Sequence, residues 1–186
     1  MTSAAFRHAT YEDLLDLPDN QVGEIIGGRL HAQPRPAPRH ARAASGLGAD
    51  LGTPFDRGRG GPGGWWILDE PELHLDADVL VPDLAGWRRQ RLPRLPETAW
   101  FETPPDWVAE VLSPATARKD RDLKMPRYAA AGVTHCWIID PDIRTLEAYA
   151  NQGGQWLLLG TWSGEDNAAI APFDAVTLDL SELWAD

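Results

Sequence analysis

Two carboxylates and one ammonium set the chemistry this chain could carry. Asp83 lies in V-L-V-P-D-L-A-G-W and Glu110 in D-W-V-A-E-V-L-S-P, each an acid inside an apolar run. A buried carboxylate without a partner is costly, so each must neutralise or find a cation. Side chains alternate along a strand, which puts Val108, Glu110 and Leu112 on one face and Val79, Val81, Asp83 and Ala85 on another. If the two strands are neighbours, the carboxylates meet at one edge of the sheet. There they repel, and one pKa rises unless a cation lies between them. A hard divalent ion such as Mg²⁺ (or Mn²⁺) suits two such oxygens, because it keeps several waters of its own. Lys124, in K-D-R-D-L-K, adds a positive charge that could orient an attacking water and stabilise a developing pentacovalent phosphate. Asp120 and Lys124 share a helix face, as do Lys124 and Tyr128. Asp120 could fix the ammonium from behind, or form a plain surface ion pair.

The elements that must position these groups are legible in outline. Thr10-Tyr11-Glu12-Asp13 fits a capping box and predicts a short helix over 11–16, stopping before Pro18. Gly27-Gly28 between two strand-like runs predicts a hairpin. A Pro-rich loop follows, then a helix over 40–51, weakened by Gly46 and Gly48. The stretch 57–64 reads as a flexible loop, and it lacks the Lys-Ser/Thr of a phosphate loop. Strands are expected over 65–75, 79–87 and 107–112, with Pro82 demoting the second to an edge or irregular strand. A helix is expected over 116–131, closed by Gly132. Pro126 should kink it or open a second piece. Strands over 135–140 and 145–150 make a hairpin, 155–162 and 176–180 are further strands, and 181–186 is a terminal helical turn. Strands before, between and after helices give a mixed α/β domain.

Composition sets the outer bounds. The 186 residues suggest one domain with an ordinary 43% apolar share, and nine Trp supply core area. No long apolar run predicts a membrane span. The first ten residues lack the pattern of a secretory signal, and the lone Cys136 excludes an internal disulfide, so a cytoplasmic location is expected. The net charge of −11 is awkward for a nucleic-acid binder. It is unevenly spread: Arg29, Arg35, Arg39, Arg42, Arg57 and Arg59 face only Asp50 and Asp56 over 29–64. Arg88, Arg89 and Arg91 form a second basic run, though a solvated face is the commoner reading of any single run. The five His show no H-E-x-x-H spacing, and His135 and Cys136 point to opposite strand faces, against a zinc site. Cys136 reads as core, Ser113 as a turn or cap, and the Trp residues as core or dimer packing rather than base-stacking platforms.

The block E-V-L-S-P…D-x-x-x-K…Y-A-x-x-G-V, with Pro82-Asp83 before it, resembles the Uma-type endonuclease family of the PD-(D/E)xK superfamily. The usual lysine lies two residues beyond the acid. Here that position is Leu112, and the lysine is identified with Lys124 on the following helix. The resemblance runs from about Tyr11 to about Tyr149. It implies a restriction-endonuclease-like core over 65–150, a mixed central sheet flanked by helices. An N-terminal helix and hairpin over 10–33 and C-terminal strands over 155–186 complete the single domain, 1–186. It also implies a Mg²⁺ site, a homodimer, and an acid before the hairpin, Glu24, that approaches the metal. Glu72 in E-P-E-L-H-L is a further metal candidate.

These readings combine into a metal-dependent endonuclease acting on nucleic acid, DNA before RNA. Asp83, Glu110, Lys124 and Glu24 would form the catalytic set. Asp83 and Glu110, with Glu72, would hold the metal, and Arg88, Arg89 and Arg91 would position phosphates without reading sequence. The alternative is a nuclease fold kept as a catalytically silent binding module.

Overall fold

A computed structural model describes residues 7–184. Helix α1 (Tyr11–Leu15) opens with the expected Thr10/Asp13 capping box. Strands β1 (Gln21–Ile26) and β2 (Arg29–Pro34) pair as the expected hairpin, with Gly27 and Gly28 at φ 59° and 73°. Both central residues of such a turn need positive φ, which glycine adopts without a Cβ clash. Helix α2 (Pro38–Leu51) starts earlier than 40–51, because proline suits a first helical position whose N–H is unpaired anyway. It runs into one π-helical turn, Gly52–Asp56. The glycine-rich loop behind it folds back on that turn, with Gly63 N–H donating to Pro54 O and Arg59 N–H to Thr53 O.

The two long strands expected over 65–75 and 79–87 each break in two: β3 (Trp65–Asp69), β4 (Leu73–Leu75), β5 (Asp78–Leu80) and β6 (Leu84–Arg88). The second break falls at Pro82-Asp83, where proline cannot donate to a ladder. There the chain leaves one sheet and enters another. After β7 (Trp107–Val111), the expected single helix is three pieces: α3 (Ala117–Lys119), a π-helical turn (Asp120–Lys124) and α4 (Met125–Ala130). Pro126 sits in the first turn of α4, where it is tolerated, and the π-helical turn precedes it. Strands β8 (His135–Asp140), β9 (Thr145–Gln152) and β10 (Gln155–Ser163) follow. The chain ends in the short pair β11 (Asn167–Ala168) and β12 (Leu178–Asp179), then a 3₁₀ turn, Leu180–Leu183.

Six strands form the large sheet in the order β10-β9-β8-β7-β6-β3, and four form a small one, β2-β1-β5-β4. Only β7 and β8 in the large sheet are parallel, joined by the α3–α4 crossover. Alternation along β7 divides the core. Trp107, Ala109 and Val111 face α2 and the C-terminal segment, while Val108 and Leu112 face α4 and the small sheet. On the first side Trp107, Trp137 and Phe173 meet edge to face at 5.0–5.6 Å. Each such contact adds about 0.5–1.5 kcal/mol beyond its buried area. Cys136 is buried in the second side. No described helix is long and apolar enough to cross a membrane.

Candidate active site

β6 and β7 are antiparallel neighbours with Leu84 opposite Ala109, so Asp83 arrives beside Glu110. The Asp83 carboxylate accepts the Val111 N–H at 2.7 Å, which ties it to the strand that carries Glu110. Its other oxygen lies 3.2 Å from His40 Nε2 on the first turn of α2. Burial opposes the His40 imidazolium, but the hydrogen bond and charge of Asp83, then Asp120, leave its pKa raised.

Glu110, on the Val108–Leu112 face, is 2% exposed. Its Oε1 accepts from Tyr128 Oη at 2.6 Å and from Lys124 Nζ at 2.8 Å. Lys124 is equally buried, and it also reaches Glu24 Oε1 at 2.8 Å and the Val81 carbonyl at 2.9 Å. Asp120 lies 3.9 Å from the ammonium and is buried, so it backs the lysine from within rather than pairing on the surface. The three N–H donors of Lys124 therefore have three close acceptors. Glu24 is held on both sides: Oε1 accepts the Val81 N–H at 2.9 Å, and Oε2 accepts from Lys119 Nζ at 2.5 Å. Lys119 donates onward to Gln33 on β2.

The charges settle unequally. Burial works to raise the Glu24 pKa, but Lys124 and Lys119 outweigh it and leave the group below the ordinary carboxylate range. Burial raises Glu110 well above that range; Lys124 opposes this, while Asp120, Asp83 and Glu24 reinforce it. Burial would lower Lys124, yet Glu110, Glu24, Asp120 and Asp83 raise it. Four acids around Lys124, with Lys119 behind and His40 beside Asp83, leave the cluster short of positive charge, which a proton on Glu110 or a bound cation can make up. That shortage, and an all-oxygen donor pair in Asp83 and Glu110, fit a hard divalent cation. Among the described residues no three His, Cys, Asp or Glu side chains converge as a ready ligand set. Waters or substrate oxygens would complete the coordination, as Mg²⁺ favours.

The cluster opens through Asp83 onto a cleft of about 300 Å³, lined by Gln33, Arg35, His40, Glu70, Ser113 and Thr116 among others. The structure thus brings together Asp83, Glu110, Lys124 and Glu24. It does not bring Glu72 to them: that carboxylate accepts from Tyr11 Oη at 2.9 Å and contacts His74 Nε2 at 2.7 Å, beside Trp100. The acid of E-P-E that lines the cleft is Glu70. The arginine run also lies elsewhere, at the opposite end of β6 from Asp83. Arg89 pairs with Asp56 and stacks on Trp66, Arg91 pairs with Asp106, and Arg88 lies over Trp65. Sequence reasoning missed His40, Lys119 and Gln33, whose partners are 43 to 95 positions away. Tyr128 carried a signal, since it shares a helix face with Lys124.

A solved protein described as a putative nuclease belonging to DUF820, from Anabaena variabilis, is similar to this chain. The two are 23% identical, the match covers 95% of this chain and 97% of the other, and the TM-score is 0.77, so the fold is shared. No curated protein matches. The Uma2 family, described as "Putative restriction endonuclease", matches residues 9–181. That match runs almost from end to end of a chain whose fold is shared with the solved protein, and this chain is a member of Uma2.

Proposed function

We propose that this chain is a metal-dependent endonuclease that hydrolyses nucleic-acid phosphodiester bonds. The observation that carries the reading is the ring of Glu24, Asp83, Glu110 and Asp120 about the buried Lys124, open to a cleft through Asp83. Asp83 and Glu110 would hold Mg²⁺ or Mn²⁺, which when bound supplies neutralisation of phosphoryl charge and a lower pKa for the attacking water. Lys124 contributes a fixed positive charge that cannot drift, being held from three sides. An incoming phosphoryl oxygen would replace the Val81 carbonyl, the one uncharged acceptor of the three. Glu24 holds Lys124 and Lys119 in place rather than touching substrate, and His40 orients Asp83. Glu72 has no part in this reading. A homodimer belongs to it, and β10 is the edge offered: it is an outer strand of the large sheet, with Leu157, Leu158 and Leu159 exposed.

The test is incubation with plasmid DNA, single strands and RNA in Mg²⁺, Mn²⁺ or EDTA. Cleavage is expected with DNA and a divalent ion, and it should fall by about a hundredfold or more in Glu110→Gln and in Lys124→Met. Cleavage that survives EDTA or Lys124→Met would overturn the reading. One observation favours the silent module instead: all three donors of Lys124 are already engaged. Absence of turnover, with no rise in melting temperature on adding either ion, would select it.

A further inference from the structure

A second concavity, of about 370 Å³, lies on the other side of the start of α2. Arg39, Arg42 and Arg144 line it, over an apolar floor that includes Pro38, Pro141 and Trp184. In a chain of net charge −11, three guanidiniums around one hollow stand out. Arg42 has an acid within reach, Glu182 at 3.9 Å, but both side chains are well exposed, so the pair is weak and screened by salt. Guanidinium forks match phosphate oxygens, and flat apolar surfaces match the faces of bases. Helix α2 adds to the field: it is 14 residues long, has no side-chain cap and carries no acid in its first turn. Its N-terminal partial charge is therefore unneutralised from within the helix.

Place matters as much as chemistry. β7 and β8 are parallel, with Val111 beside Ile139, so the Pro141–Arg144 turn leaves the sheet at the same end as Glu110. The first turn of α2 forms a wall of both hollows: His40 reaches Asp83 on one side, while Arg39 and Arg42 line the other. His40 and the Arg39/Arg42 pair lie on opposite sides of one helix, whose width with side chains is about 10–12 Å. A duplex strand advances about 3.4 Å per nucleotide, so the two hollows are on the order of three nucleotides apart.

We propose that this hollow is a strand-binding subsite: it holds a phosphate and base of the nucleic-acid strand next to the one cut at Asp83. It rests on reading the cleft as a nuclease site. Binding can be measured without turnover, by fluorescence anisotropy of labelled single-stranded and duplex DNA with the full chain in EDTA. Arg39→Ala/Arg144→Gln should weaken binding by roughly tenfold or more at low salt and reduce the salt slope by about two. Arg42→Glu should weaken it further. Arg88→Ala, at the far end of β6, should leave it unchanged. Equal binding by the double variant and the parent, loss of binding in Arg88→Ala alone, or no binding by the parent would overturn the subsite. If the parent binds, the double variant does not, and no metal supports cleavage, the hollow stands as a nucleic-acid-binding site and the nuclease reading fails.

Discussion

Glu24 shows what a single side chain does here. It is 1% exposed and accepts from two ammonium groups and one backbone N–H. Removing one partner of a buried ion pair commonly costs about 3–5 kcal/mol, because the survivor stays buried. Glu24→Gln keeps the shape and the acceptor oxygen but not the charge, so a loss of about 3 kcal/mol at neutral pH is expected in urea denaturation. Its pH dependence follows from the sign. The folded pKa lies below the unfolded value of 4.5, so the stabilisation is present above 4.5 and is lost as pH falls through the folded value. The gap between parent and Glu24→Gln should therefore close in acid; a gap constant with pH would refute the pairing. At this scale Asp83 and Glu110 were legible, because an acid in an apolar strand is a local contradiction that demands a partner, and Lys124 was legible through its helix spacing and the family resemblance. His40, Lys119 and Gln33 were not, since each is an ordinary polar residue on a plausible surface until the hairpin and α2 fold over the sheet.

The elements show why apparent faults in the sequence are there. Gly46 and Gly48 lower the helix propensity of 40–51, yet α2 forms. A Cβ at Gly48 would lie 3.0 Å from Asp69 Oδ1 and 3.2 Å from Leu84 Cδ2. The glycine lets α2 approach β3 and β6 closely enough for His40 to reach Asp83. Gly48→Val is expected to cost about 1–3 kcal/mol through overpacking, and chemical denaturation would read the loss. An unchanged or higher stability would mean that the close approach is not needed. Pro126 likewise marks where one helix gives way to another. The break of 79–87 was half legible: Pro82 flagged an irregularity, but transfer of the chain between two sheets has no local signature.

At the scale of the molecule, β10 is an outer strand that bares Leu157, Leu158 and Leu159. An edge strand with exposed apolar side chains is a template for another strand, and a two-fold axis would pair β10 antiparallel with its own copy. Leu158 is 50% exposed. Leu158→Lys is expected to shift sedimentation toward the monomer, and a monomeric parent would remove the homodimer from the reading. The sequence disclosed β10 as a strand, while its position at the rim depends on the order of all six strands. The passage through Val81, Pro82 and Asp83 has one more consequence. Val81 gives its N–H to Glu24 and its carbonyl to Lys124, while Asp83 grips β7, so the side chains of the candidate site are also the rivets between two rigid plates. A wedge driven between those plates would pull this cluster apart without entering the cleft.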